Sequence, residues 1–207
     1  MLLVVGGIGY LKFFYLSSSA ELERIMKIET TLTMNESQIA ALADVRDKLS
    51  KDINDYSGRL NLAKMKNELL DYAGAEVLYK ECLGRKPQDI LVLNNLASMY
   101  YDLKRYDEAE QKNYDILAVS PKWINAYTNL YEIYQFHKKD DRAKLEPVLI
   151  RGIAEWPEME RDLVVMTAVY YDELMGNTAK AIEYYERALS LNPNDQTSKN
   201  RLAELKK

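Results

Sequence analysis

The chain has almost none of the residues from which most reactive centres are assembled. Its 207 residues include one histidine, His137, and one cysteine, Cys82. Zinc sites built from several His and Cys ligands at fixed spacing are therefore excluded, as is an intrachain disulfide. A lone thiol says little about redox compartment. A basic excess is missing as well: 28 Lys and Arg stand against 32 Asp and Glu, a net charge of −4. No basic stripe of the kind that neutralises phosphates is present, so nucleic acid is not an expected partner. A carboxylate-only centre survives by count alone. The acids fall mostly at helix-surface spacings, however, where solvation and weak ion pairs account for them. The expectation is a protein that is not an enzyme, with no catalytic residues, no cofactor and no metal site.

Long apolar runs are also scarce, with one exception. Residues 1–16, MLLVVGGIGYLKFFYL, carry Lys12 as their only charge and are followed by three serines. A membrane-spanning helix needs about 20 apolar residues. Sixteen is short of that, but Lys12 can snorkel and the rings of Tyr10 and Tyr15 suit a membrane interface. The segment is read as a transmembrane anchor or signal segment; a signal cleaved after Ala20 lacks its charged n-region, and the uncleaved anchor is preferred because the run Phe13, Phe14, Tyr15 resembles a membrane-interface belt. A third reading packs it as a hydrophobic helix on the rest of the chain. The absence of a basic residue before Lys12 hints at an upstream start. A short N-terminus inside would place the remainder outside the cytoplasm, while Arg24 and Lys27 argue mildly the other way; cleavage would give a secreted protein.

Residues 17–55 read as a helical linker. Leu22, Ile25, Ile28 and Leu32 form a thin apolar face, and Asn35 with Gln38 three residues on is a capping-box signature. The helix it opens carries apolar residues at 39, 42, 49, 53, 56 and 60 in a heptad seam interrupted by Arg46. Packing on the following segment is favoured over a coiled-coil dimer seam, because the run falls short of three clean heptads.

Proline is rare too, but four of the five are regularly placed. Pro87, Pro121, Pro157 and Pro193 follow one another at intervals of 34, 36 and 36 residues, each closing helix-forming sequence. The units so marked are 56–89, 90–123, 124–159 and 160–195. In the first, Leu62, Ala63, Ala75, Tyr79 and Cys82 hold the packing positions. In the second, Leu93, Leu96, Ala97 and Tyr100 fall at i, i+3, i+4 and i+7, one face of a helix. Tyr127, Leu130, Tyr131 and Tyr134 repeat that pattern, and Ala181, Tyr185 and Ala188 lie on the second helix of the last unit. Over residues 56 to 193 the chain resembles the tetratricopeptide repeat family, in spacing more than in any single residue. The resemblance implies an all-α fold, a right-handed solenoid of helix pairs, here preceded by an N-terminal hydrophobic helix. Residues 196–207, mostly polar, are expected to form a solvating cap helix.

Several residues depart from the family pattern. Arg59 and Lys66 stand where large apolar residues are expected, which predicts a loosely packed first repeat. Asn113 replaces an aromatic and Gly152 an alanine. The third and fourth repeats each hold two extra residues, which would rotate a helix face by about 200° and so must sit at helix ends or turns. The candidate stretches are HKKDDRAK before Pro147 and YYDELMGNT with Gly176 as a helix stop.

The resemblance assigns the opposite face of each first helix to a concave groove. Asn61, Asn95 and Asn129 recur there at 34-residue spacing, and an amide can both donate to and accept from the backbone of an extended peptide. Lys64, Ser98, Tyr101, Asp102, Glu132 and Gln135 would complete a partner-binding groove, along with Asn67. The groove of the third repeat offers Asn125 and Asn129 where a chaperone-tail carboxylate clamp would need basic residues, so that ligand is argued against. His137 reads as a solvated turn residue, Cys82 as buried and inert, and Trp123 and Trp156 as inter-repeat packing. The function expected is a membrane-anchored interaction module or assembly scaffold binding a peptide or protein. The alternatives are a non-catalytic subunit of an envelope enzyme or transport complex, or a homo-oligomeric scaffold built through the 36–55 helix.

Overall fold

The computed structural model describes residues 19–30 and 32–207, all helix, turn or coil, with no strand among them. The readings made for residues 1–16 lie outside the described residues. The chain divides into two compact units, one ending at Met99 and one running from Tyr100 to Lys207.

The first unit contains α1 (19–26), α2 (Glu36–Lys51), α3 (Tyr56–Glu68), α4 (Tyr72–Arg85) and most of α5 (Ile90–Asp102). The capping box forms as the sequence signals: the Asn35 side chain accepts from the Gln38 N–H and the Gln38 side chain accepts from the Asn35 N–H. Asp55, Asp71 and Asp89 accept backbone N–H groups at the starts of the next three helices, satisfying donors that a helix start leaves unpaired. Helix α2 stops at Lys51, so no continuous helix runs from 39 to 60 and the heptad seam is broken. Its buried residues are Val45 and Leu49, and it packs on α3. Leu49 is thereby consumed within the chain and is not free to form a dimer seam.

Arg59 and Lys66 do not loosen the first repeat; both are buried and paired. Arg59 donates to Glu81 and to the Ile53 carbonyl. Lys66 donates to Asp71 at 2.7 Å and to the Lys27 carbonyl. The stretch 27–30 supplies further contacts, Glu29 N–H to Asp71 and the Thr30 hydroxyl to the Leu69 carbonyl, while Leu22, Ile25 and Met26 of α1 are buried. Lys66 stands at an apolar position because polar backbone from residues 27–30 covers it, and Arg59 because the Ile53 carbonyl and Glu81 satisfy it. Buried charges persist where they are paired.

The second unit contains α6 (Tyr106–Val119), α7 (Ile124–Glu132), α8 (Leu145–Glu155), α9 (Glu160–Val169), α10 (Thr178–Leu191) and α11 (Gln196–Leu205). Here α6 packs on α7, α8 on α9, α9 on α10 and α10 on α11. The extra residues of the third and fourth repeats are absorbed where α7 and α9 end: each continues into a five-residue π-helix, Ile133–His137 and Tyr170–Leu174. A π-turn takes up added residues without rotating the stripe that precedes it. In the third repeat the adjustment thus begins at Ile133, ahead of the polar stretch expected to carry it, and continues through a 3₁₀ segment, Lys139–Lys144. Pro147 lies in the first turn of α8, where its missing N–H costs nothing. Gly176 takes φ +61° just before the Asn177 cap of α10.

Tyr79, Tyr127 and Tyr134 are fully buried, and Tyr100 and Tyr185 nearly so. Tyr131, placed by the pattern in the same stripe, is only half-buried. Trp123 stands at the N-cap of α7 and is 37% exposed. Trp156 is half-buried with the Lys122 ammonium 4.9 Å over its ring. The cap helix α11 buries Ser198 alone and is held by Arg201, whose guanidinium bonds both oxygens of Asp172.

Candidate functional site

Asn61 and Lys64 lie half-buried on α3, Asn95 half-buried and Ser98 exposed on α5, all in the first unit. The Asn95 amide nitrogen and the Asn67 carbonyl oxygen are buried with no hydrogen-bond partner, a complementary donor and acceptor left open on successive first helices.

In the second unit Tyr101 bonds to the His137 imidazole at 3.0 Å, and that imidazole stacks on Tyr106 with ring centroids 3.8 Å apart. His137 is exposed yet held by two aromatic side chains, which the reading as a solvated turn residue did not foresee. Asp102 is exposed beside them. Asn129 donates to Asn113 at 3.0 Å, and Asn113 donates to the Ala109 carbonyl. With an amide in place of the expected aromatic, the buried polar group needs a partner, and Asn129 supplies it. One of the two N–H groups of the Asn129 amide is thereby spent inside the unit.

Another side of α7, carrying Thr128 and Tyr131, faces α9. Thr128 and Tyr131 of α7, with Asp162, Val165, Met166 and Val169 of α9, line an open recess of about 260 Å³. Tyr131 donates to Glu173 at 2.9 Å and Gln135 donates to the same oxygen at 3.2 Å. Burial first, then the bond to Glu173, pushes the Tyr131 phenol well above its ordinary pKa, so it stays a donor at neutral pH. Glu132 is exposed one turn beyond Thr128. The sequence did signal the apolar side of this recess. Helix α9 buries Leu163, Val164, Thr167 and Ala168 yet carries Val165, Met166 and Val169 on another face, and a helix apolar on two faces has a second surface to cover.

Among the described residues no cluster of three or more His, Cys, Asp or Glu is arranged to hold a metal. Cys82 is buried, with its thiol pKa raised by that burial, so it is a poor nucleophile. The arrangement is suited to holding an apolar side chain and accepting hydrogen bonds.

Two tetratricopeptide repeat profiles match the chain, over residues 90–117 and 171–195. Among solved structures, a crystal structure of MamA protein aligns with 72% of this chain and 80% of its own at 23% identity and a TM-score of 0.53. A second MamA crystal structure aligns with 69% of this chain and 81% of its own at 24% identity and a TM-score of 0.51. No curated protein matches the chain. The likeness is one of fold: the described residues form an all-helical repeat architecture similar to that of tetratricopeptide repeats. No helix among the described residues is long and apolar enough to cross a membrane.

Proposed function

We propose that this chain is a non-catalytic interaction module that holds a peptide or protein partner on the exposed faces of its first helices, and that residues 1–16 tether it to a membrane. The observation that carries the first part is the open recess between α7 and α9, where the half-buried side chains of Val165, Met166 and Val169 line a surface shared with Thr128, Tyr131 and Asp162. Partly open apolar surface bordered by polar groups is how recognition faces are commonly built.

A photoreactive phenylalanine analogue tests this when placed in the full-length chain at Val165 on this face or at Glu183, exposed on α10. Under native conditions the Val165 position should give a discrete cross-linked product and the Glu183 position should not. Equal products from both positions, or a product from Glu183 alone, would refute the assignment of the face. Fractionation tests the tether. Full-length chain should sediment with membranes and a chain beginning at Glu21 should not; equal solubility of the two, without N-terminal processing, removes that part of the reading.

A further inference from the structure

Resting on the reading of this face as the partner-binding one, we propose that the α7–α9 recess selects a peptide segment carrying an apolar side chain together with a nearby lysine or arginine. The apolar half follows from the lining of Val165, Met166 and Val169 with the Tyr131 ring. Covering those groups removes apolar surface from water, at about 25 cal/mol per Å².

The basic half follows from Glu173. Its Oε2 accepts from the Tyr131 hydroxyl and the Gln135 amide, both neutral donors. Two bonds fix the direction of the carboxylate without neutralising it. Its other oxygen has no hydrogen-bond partner, and Glu173 forms no ion pair among the described residues. Arg142 directs its N–H groups to the carbonyls of Tyr134, Gln135 and Leu174 and keeps its charge, but it makes no bond to Glu173. Glu173 is therefore an oriented acceptor, unpaired with any cation among the described residues and with one oxygen open, beside an apolar recess. A bond to it from an arriving ammonium or guanidinium would be charge-assisted, the stronger kind.

The rest of the rim has the same sign. Asp162 lines the recess at the end away from Glu173. Arg161 is the opposing charge, and it pairs with Asp162 across an exposed contact that contributes little. An acidic peptide would bring its charge against two carboxylates, Glu173 and Asp162. A purely apolar one would leave Glu173 unused. Along α9 and its π-helical continuation, Val169 and Val165 precede Glu173 by four and eight residues, or about 6 and 12 Å at a helical rise. An extended peptide covers that in roughly two to four residues, which sets the separation of apolar and basic side chains in the segment.

The test is a peptide array on a Gly/Ser frame. Each decapeptide carries one Leu or Phe and one Lys, Arg, Gln or Glu at separations of one to six residues, and the array is probed with the full-length chain in mild detergent. Peptides with Lys or Arg two to four residues from the apolar side chain should bind at least tenfold more tightly than their Glu counterparts. Glu173→Gln, which keeps the shape and the two internal bonds, should cut that preference to less than twofold while leaving the weaker apolar-dependent binding. Val165→Ser should weaken every peptide. Equal binding of basic and acidic peptides, a basic preference unchanged in Glu173→Gln, or no binding by any peptide would overturn the proposal. Cross-linking from Val165 without a basic preference would overturn this inference alone, whereas absence of the Val165 product would refute the interaction face itself.

Discussion

Lys66 and Asp71 form an ion pair at 2.7 Å with their side chains only 4% and 6% exposed. The pair sits under the backbone of residues 27–30, from which the Lys27 carbonyl and the Glu29 N–H complete its hydrogen bonding. It couples the stretch before the first repeat to the repeat itself. A helix-surface pair of the same residues would contribute almost nothing; here the cost of breaking it is set by desolvation.

Removing one partner leaves the other charge buried, which typically costs about 3 to 5 kcal/mol. Asp71→Asn should lower the stability of the first unit by an amount of that order in denaturant unfolding. Burial by itself would raise the Asp71 pKa, but the Lys66 ammonium and the Gly74 and Glu29 N–H groups outweigh it and hold the value below the ordinary carboxylate range. A depressed folded-state pKa contributes stability above the unfolded value, about 3.9, and that contribution is lost as pH falls through the folded value. Wild-type melting temperature should therefore drop below about pH 4, and the drop should be shallower in Asp71→Asn. Parallel pH profiles for the two would refute the account.

Leu70 and Lys104 occupy equivalent turns 34 residues apart and share a left-handed backbone, φ 63° and 59°. Non-glycine residues pay about 1 to 2 kcal/mol for that conformation. Glycine avoids the cost but loses more chain entropy on folding. Neither side chain is buried, so Leu70→Gly and Lys104→Gly should each stabilise by about 0.5 to 1 kcal/mol. A fall in thermal midpoint for both would show that the strain is not real.

Gly152 is buried because Tyr127 fills the space where its side chain would be. A Cβ there would stand 2.9 Å from the Tyr127 hydroxyl and 2.8 Å from Leu163, and that hydroxyl is committed to the Pro121 carbonyl. Gly152→Ala should destabilise the second unit by about 1 to 3 kcal/mol, the usual cost of overpacking, even though alanine is the better helix former. Neutral or improved stability in chemical denaturation would contradict this.

Asn129 is not a free groove residue. Asn129→Ala would leave the Asn113 carbonyl oxygen buried without a donor, which costs about 1 to 3 kcal/mol, so a measurable loss of stability is expected. Asn95→Ala removes an amide nitrogen with no partner and should cost less than about 0.5 kcal/mol. Comparing the two melts separates a structural asparagine from one open to a ligand. Equal losses would refute the distinction.

Much of this protein was legible in the order of its residues, because local rules carried it. The proline intervals and the i, i+3, i+4, i+7 stripes mark helix pairs, since a 3.6-residue period puts Leu93, Leu96, Ala97 and Tyr100 on one side whatever lies opposite. The capping box at Asn35 and the positive φ of Gly176 are equally local, as both satisfy groups within a few residues. What only the tertiary structure decided is where polar groups find partners distant in sequence. Lys66 and Arg59 look like packing faults until residues 19–30 fold over them. Asn129 looks like a ladder rung until Asn113 claims its amide. Glu173 looks like one more surface acid until a π-turn brings it to Tyr131 and Gln135. Helical periodicity is written in neighbours along the chain, whereas the cost of a buried charge or amide depends on atoms some 16 to 42 residues away, and no local pattern encodes those.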